Sequence, residues 1–104
     1  MAEARGREVT LAGRRLWLRY TVNSLCEVED RSGLPIDRLL DLHFSATRLL
    51  LWAGLRRDQP ELTVSDVGEL IGECLAGGMP LEDIVDLCAA GLRDAGVLRE
   101  EGLA

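Results

Sequence analysis

The chain contains no lysine: all twelve of its basic residues are arginine, set against eighteen acids and a single histidine. That usage reads as a GC-rich coding bias rather than as chemistry. Long apolar runs are missing too. The longest, Leu49 to Leu55, falls far short of the roughly 20 residues of a membrane-spanning helix. The first eight residues, Met-Ala-Glu-Ala-Arg-Gly-Arg-Glu, are charged, and no apolar stretch suited to a signal peptide follows them. Cysteine is scarce and odd in number, with Cys26, Cys74 and Cys88 far apart. A disulfide framework wants an even count, and a zinc site wants paired Cys or His at short spacing, which the lone His43 does not supply. Each cysteine falls among apolar residues at helical spacing, so all three read as small buried hydrophobes in a reducing compartment. These absences point to a water-soluble, cytoplasmic protein with no metal and no cofactor.

Catalytic signatures are equally absent from the sequence. Gly77-Gly78 lies between Ala76 and Met79, with no Gly-Lys-Ser/Thr to make a phosphate loop. No serine sits in a nucleophile elbow, and no His-Glu-x-x-His is present. Asp83 and Asp86 share a helix side, which a solvated acidic face explains. A Cys26–His43 dyad is the one nucleophilic pairing left, and only a nearby helix start prepares its thiolate. The expectation is a non-enzyme.

What is there suits one folded domain. At 104 residues the length fits a single core, and 47% hydrophobic with 29% charged residues is the balance of a globular chain. Net charge is −6 but unevenly placed: residues 1–60 hold ten Arg and eight acids, a balance of +2, and residues 61–104 hold two Arg and ten acids, a balance of −8. An acidic half opposes wrapping nucleic acid, whose affinity comes from neutralised phosphates. The basic half suits an acidic partner or the acidic half of another copy, so self-association is expected.

Residues 1–7 are polar and read as a flexible terminus. Residues 8–20 alternate apolar and polar positions on either side of Gly13-Arg14, the pattern of a hairpin with glycine at its first turn position. That register sets Leu11 opposite Leu16, Val9 opposite Leu18 and Glu8 opposite Arg19. A turn at Ala12-Gly13 would instead place Arg14 against Leu11. Helices follow through residues 21–96. The first is signalled by Thr21, Asn23 and Ser24, with Ser24 and Glu27 spelling a capping box, and Gly33 stops it. Pro35 opens a short turn through Ile36, Leu39 and Leu40. Ser45 is placed to cap a helix over residues 46–57 that is apolar nearly all round and therefore central. Thr63 with Asp66 caps the next, Gly77-Gly78 ends it, and Pro80 starts a last helix to about Ala95, before Gly96. Residues 97–104 are left as a tail. The fold class is α+β, mainly α: an N-terminal β-hairpin followed by four or five short helices, one domain over residues 8–96.

The remaining functional signal is surface. Trp17 shares its strand face with Arg15 and Arg19, so it is either outward-facing, with the make-up of an interface anchor, or core in a hairpin covered on both faces. Arg15, Trp17 and Arg19 are the candidate protein-binding residues.

The order of the hairpin, Tyr20-Thr21-Val22-Asn23-Ser24-Leu25-Cys26-Glu27-Val28-Glu29-Asp30, Leu49-Leu50-Leu51-Trp52-Ala53-Gly54-Leu55-Arg56 and Pro60-Glu61-Leu62-Thr63 resembles a family. It is similar to the small tail assembly chaperones of siphophage-like tails and of gene transfer agents, over roughly residues 8–75. The resemblance implies a non-catalytic protein that acts as a multimer in the bacterial cytoplasm. It would bind the aggregation-prone tape measure protein, keep it soluble, and help tail tube subunits assemble around it. Contacts of that kind are expected to be helix-in-groove. The competing reading is a small regulatory nucleic-acid binder that lays Arg14, Arg15 and Arg19 of the hairpin on phosphate.

Overall fold

The structure, a computed structural model, describes residues 6–41 and 43–99. Residues 1–5 and 100–104, which hold most of the two expected termini, lie outside the described residues. The fold is α+β and mainly α: strands β1 (Gly6–Leu11) and β2 (Arg14–Arg19) form an antiparallel hairpin, followed by α1 (Val22–Ser32), α2 (Ile36–Leu39), α3 (Phe44–Leu55), α4 (Val64–Ala76) and α5 (Leu81–Asp94).

The hairpin starts earlier than expected, since Gly6 and Arg7 belong to β1 rather than to a flexible terminus. Its turn is also one residue earlier. Leu11 pairs with Arg14, Val9 with Leu16 and Glu8 with Trp17, so Ala12-Gly13 is the turn and the expected Glu8–Arg19 pair does not form. Both turn residues are left-handed, Ala12 at φ 50° and Gly13 at φ 78°. A two-residue turn of this type matches the right-handed twist of the strands. A left-handed alanine costs about 1–2 kcal/mol. Moving the turn by one residue shifts each strand pairing by two positions, so every side chain keeps its face. Val9, Leu11, Leu16 and Leu18 therefore point into the core in either register. In the observed register Arg19 reaches Asp58 (Nη2–Oδ1 2.6 Å) and Arg7 reaches Asp94 (Nη2–Oδ1 2.8 Å), each through two hydrogen bonds.

Helix ends follow local chemistry with two differences from expectation. The capping box of α1 is Thr21 with Ser24, not Ser24 with Glu27: the Thr21 hydroxyl accepts from the Ser24 N–H at 3.1 Å and the Ser24 hydroxyl accepts from the Thr21 N–H at 2.9 Å. The N-cap of α3 is His43, not Ser45, and its side chain makes no capping bond. Thr63 and Asp66 form the expected reciprocal box. Both α4 and α5 close with glycine in the left-handed region. Gly78 and Gly96 allow the Met79 and Val97 N–H groups to turn back onto the Cys74 and Leu92 carbonyls. Leu98 packs against the core, so the folded part reaches beyond residue 96.

Helix α3 is the hub. Residues 50–55 are all buried, and the helix meets α1, α2, α4, α5 and β2. Leu18 and Tyr20 wedge between α3 and α5 at two glycines. A Cβ on Gly54 would sit 2.8 Å from Tyr20 Cζ and 2.5 Å from Leu18 Cδ1; on Gly91 it would lie 3.0 Å from Tyr20 Cε2 and from Leu18 Cδ2. The Tyr20 hydroxyl donates to the Leu50 carbonyl at 2.8 Å, which satisfies the buried phenol. Gly54→Ala should therefore cost about 1–3 kcal/mol by overpacking, against the normal helix preference for alanine. Gly72, in α4 with nothing near its missing Cβ, is the control. Gly72→Ala should stabilise by about 0.4–1 kcal/mol in urea unfolding, and two equal outcomes would remove the close-fit argument.

Burial pushes the Cys88 thiol up to about 12 and holds the Tyr20 phenol well above its ordinary range. The folded state thus keeps protons that the unfolded chain gives up. Stability from both groups is complete below the ordinary thiol value of 9.0 and declines as pH rises toward 12. Urea midpoints measured across that alkaline interval should fall, and Cys88→Ala should flatten the decline.

Candidate interaction surface

The candidate residues sit on β2, whose alternate positions face away from the helices. Arg15 and Trp17 are exposed, Trp17 at 40%, and Leu16 and Leu18 between and beyond them are buried. The hairpin is thus not covered on both faces. Trp17 is fixed rather than loose. Its indole occupies the space above Gly6, where a Cβ would collide with it. Its backbone N–H donates to Gln59 Oε1 at 2.9 Å, and its carbonyl accepts from Gln59 Nε2 at 3.0 Å. Gln59 follows α3, and its amide imitates a neighbouring strand at this position. It blocks the β2 edge, which would otherwise offer these groups to another chain.

Arg19 does not stand free beside Trp17. Its guanidinium is held by Asp58, with only 16% of the side chain exposed. Arg14 lies on the other face, where its charge helps to lower the pKa of Asp66; hydrogen bonds from Thr63 are the larger cause. Of the three expected residues, Arg15 and Trp17 present themselves to solvent, and Arg19 anchors the hairpin to the segment after α3. Nothing in the sequence marked Gln59 and Asp58 as the partners, because both pairings join residues about forty positions apart.

A second cluster surrounds Trp52. Its indole N–H donates to the Leu62 carbonyl at 3.2 Å, and Arg31 and Arg56 lie over the ring at 4.7 and 4.6 Å from its centroid. Glu27 bridges both guanidinium groups, at 3.2 Å to Arg31 and 2.6 Å to Arg56. This clamp ties α1 to α3, and its cation–π contacts add roughly 0.5–1 kcal/mol each at such partly exposed positions.

The cysteines divide. Cys74 and Cys88 are buried as expected, but Cys26 is exposed, because α1 turns Leu25 and Val28 inward and leaves Cys26 outside. Cys26 and His43 share no hydrogen bond. Among the described residues no group of three or more His, Cys, Asp or Glu is placed to hold a metal ion, and no helix is long and apolar enough to cross a membrane. No family model matches the chain, and no curated protein or solved structure matches it significantly.

Trp17→Ala should cost about 1–2 kcal/mol, since the indole is partly covered where it packs over Gly6. Trp52→Ala empties a buried site and should cost roughly 3–5 kcal/mol. Chemical denaturation of the pair tests the assignment of surface and hub, and the reverse ranking would overturn it.

Proposed function

We propose that this chain is a tail assembly chaperone-like protein that binds the tape measure protein of a phage-like tail and keeps it soluble during assembly. The observation that carries the reading is the ordered resemblance of Tyr20–Asp30, Leu49–Arg56 and Pro60–Thr63, set behind a hairpin. The fold is compatible with that role. The first segment begins at the buried Tyr20 and builds α1, the second is the buried hub of α3, and the third carries Leu62, whose carbonyl holds Trp52. The buried members of these segments belong to the scaffold, while others, such as Val22, Asn23, Cys26 and Pro60, are exposed. The client would be met by surface, with Trp17 and Arg15 as anchors on the hairpin's outer face. Trp and Arg are the residues that dominate binding hot spots, each worth roughly 2 kcal/mol or more. Tail tube protein and further copies of the chain are the other proposed partners, acting in the cytoplasm of a bacterial host without catalysis.

The nucleic-acid reading has less support on this hairpin. Arg7 and Arg19 are paired with Asp94 and Asp58, and Arg14 is exposed but near enough to Asp66 to help lower its pKa, so acids offset most of the hairpin's arginine charge.

Co-expression with a tape measure protein is the direct test. The two should co-purify, and the tape measure protein should move from the insoluble to the soluble fraction. Trp17→Ala should weaken the complex by about 2 kcal/mol, close to thirtyfold. A client that stays insoluble and does not co-purify would falsify the proposal. Light scattering of the same eluate reports whether more than one copy is present.

A further inference from the structure

We propose that two depressions flanking the start of α3 form one docking groove for an acidic amphipathic helix of a partner protein. The first, of about 550 Å³, lies between the end of α1, α2 and the first turns of α3, with Leu39, Leu49 and Val64 in its lining. The second, of about 300 Å³, lies between α3 and α4 above Ile71. Both are lined by Ser45 and Arg48, so they meet across one turn of α3. Leu34 lines the first at 41% exposure, and Phe44 lines the second at 66%. A large side chain this exposed at the lip of an apolar depression marks an interaction site more than an isolated surface residue does.

Charge identifies the occupant. The chain carries eighteen acids against twelve arginines, yet among the described residues no acid lines either depression, whereas Arg31, His43 and Arg48 do. Arg31 is shared with Glu27 and the Trp52 ring. Arg48 is held differently. Its stem lies on α4 at Gly68, where a Cβ would come within 3.1 Å of Arg48 Cδ, so the glycine lets the side chain lie along the groove. The N-terminus of α3 opens beside it without a side-chain cap, adding positive potential from the same side. Apolar residues at i, i+3, i+4 and i+7 of a docked helix would fill the two depressions, and carboxylates on its flank would meet Arg48 and the α3 terminus. The proposal holds whichever protein supplies the helix, and it concerns a surface separate from the hairpin.

The test uses the full chain and two fluorophore-labelled helical peptides. They share one leucine stripe and differ in having Glu or Lys on the flanks. The Glu peptide should bind at least about tenfold more tightly at low salt, and added salt should narrow the gap. Its amide shift changes should fall in residues 31–34, 43–49 and 64–71. Arg48→Glu should lose about tenfold for the Glu peptide, and Phe44→Ala should weaken both peptides. Equal affinity for the two peptides, binding of neither, or shift changes confined to the hairpin overturns the proposal. A folded Arg48→Glu variant with unchanged affinity does the same; should that variant not fold, the shift map of the unmodified chain decides. Concentration-dependent shifts of the same residues without peptide, together with a dimer in light scattering, would assign the groove to a second copy instead.

Discussion

Everything in this fold is keyed to the fit of Leu18 and Tyr20 between two glycines on different helices. Gly54 of α3 and Gly91 of α5 present bare backbone to the same pair of side chains, so strand and helices approach more closely than any side chain there would allow. The phenol ends on the Leu50 carbonyl, one turn before Gly54, and the ring is fully buried. One residue just past the end of β2 thus fixes the distance and direction of the hairpin against the helical layer. The ion pairs of Arg7 with Asp94 and Arg19 with Asp58 then hold its strands, one to α5 and one to the segment after α3. Such partly exposed pairs contribute little energy. Their value is orientational: they fix the hairpin at two further points once the apolar wedge is seated.

Rigidity at that joint has a functional consequence. A two-stranded sheet alone is marginal in water, and its edges invite pairing with other chains. Here one face is buried and the β2 edge is occupied at Trp17 by the Gln59 amide. The outer face therefore offers side chains rather than free backbone to a partner. A surface of that kind selects for shape and charge, whereas an open edge accepts any extended segment.

Much of the fold was legible in the sequence because it is local. The alternation in residues 8–20, the apolar block around Trp52, the Thr63–Asp66 box and the glycine stops at Gly33, Gly78 and Gly96 each depend on residues within a few positions of one another. The readings that changed depend on distant partners. The Ala12-Gly13 turn places alanine in a costly conformation, and local preference argues against it; the observed register goes with long-range pairs at Asp58 and Asp94. Glu27 matched a local capping pattern but serves as the bridge between Arg31 and Arg56. Gly54 and Gly91 lie inside helices, where glycine ordinarily weakens the element, and the packed Leu18 and Tyr20 explain them. Cys26 lies among apolar residues at helical spacing, yet the rotation of α1 that buries Leu25 and Val28 turns it outward.

The same contrast separates scaffold from surface. Scaffold residues such as Tyr20, Gly54 and Leu55 lie on buried elements, where volume and backbone approach restrict the choice of residue. The exposed residues Trp17, Leu34 and Phe44 answer to no such internal constraint. Isolated exposed hydrophobics are ordinary on any protein. These three differ in their settings: the Trp17 indole packs over Gly6 and its backbone is held by the Gln59 amide, and Leu34 and Phe44 border depressions with no acid among their described lining residues. The described lining beside α3 holds no acid, and the hairpin's tryptophan packs over Gly6; by these two separate routes apolar surface is left outside the core.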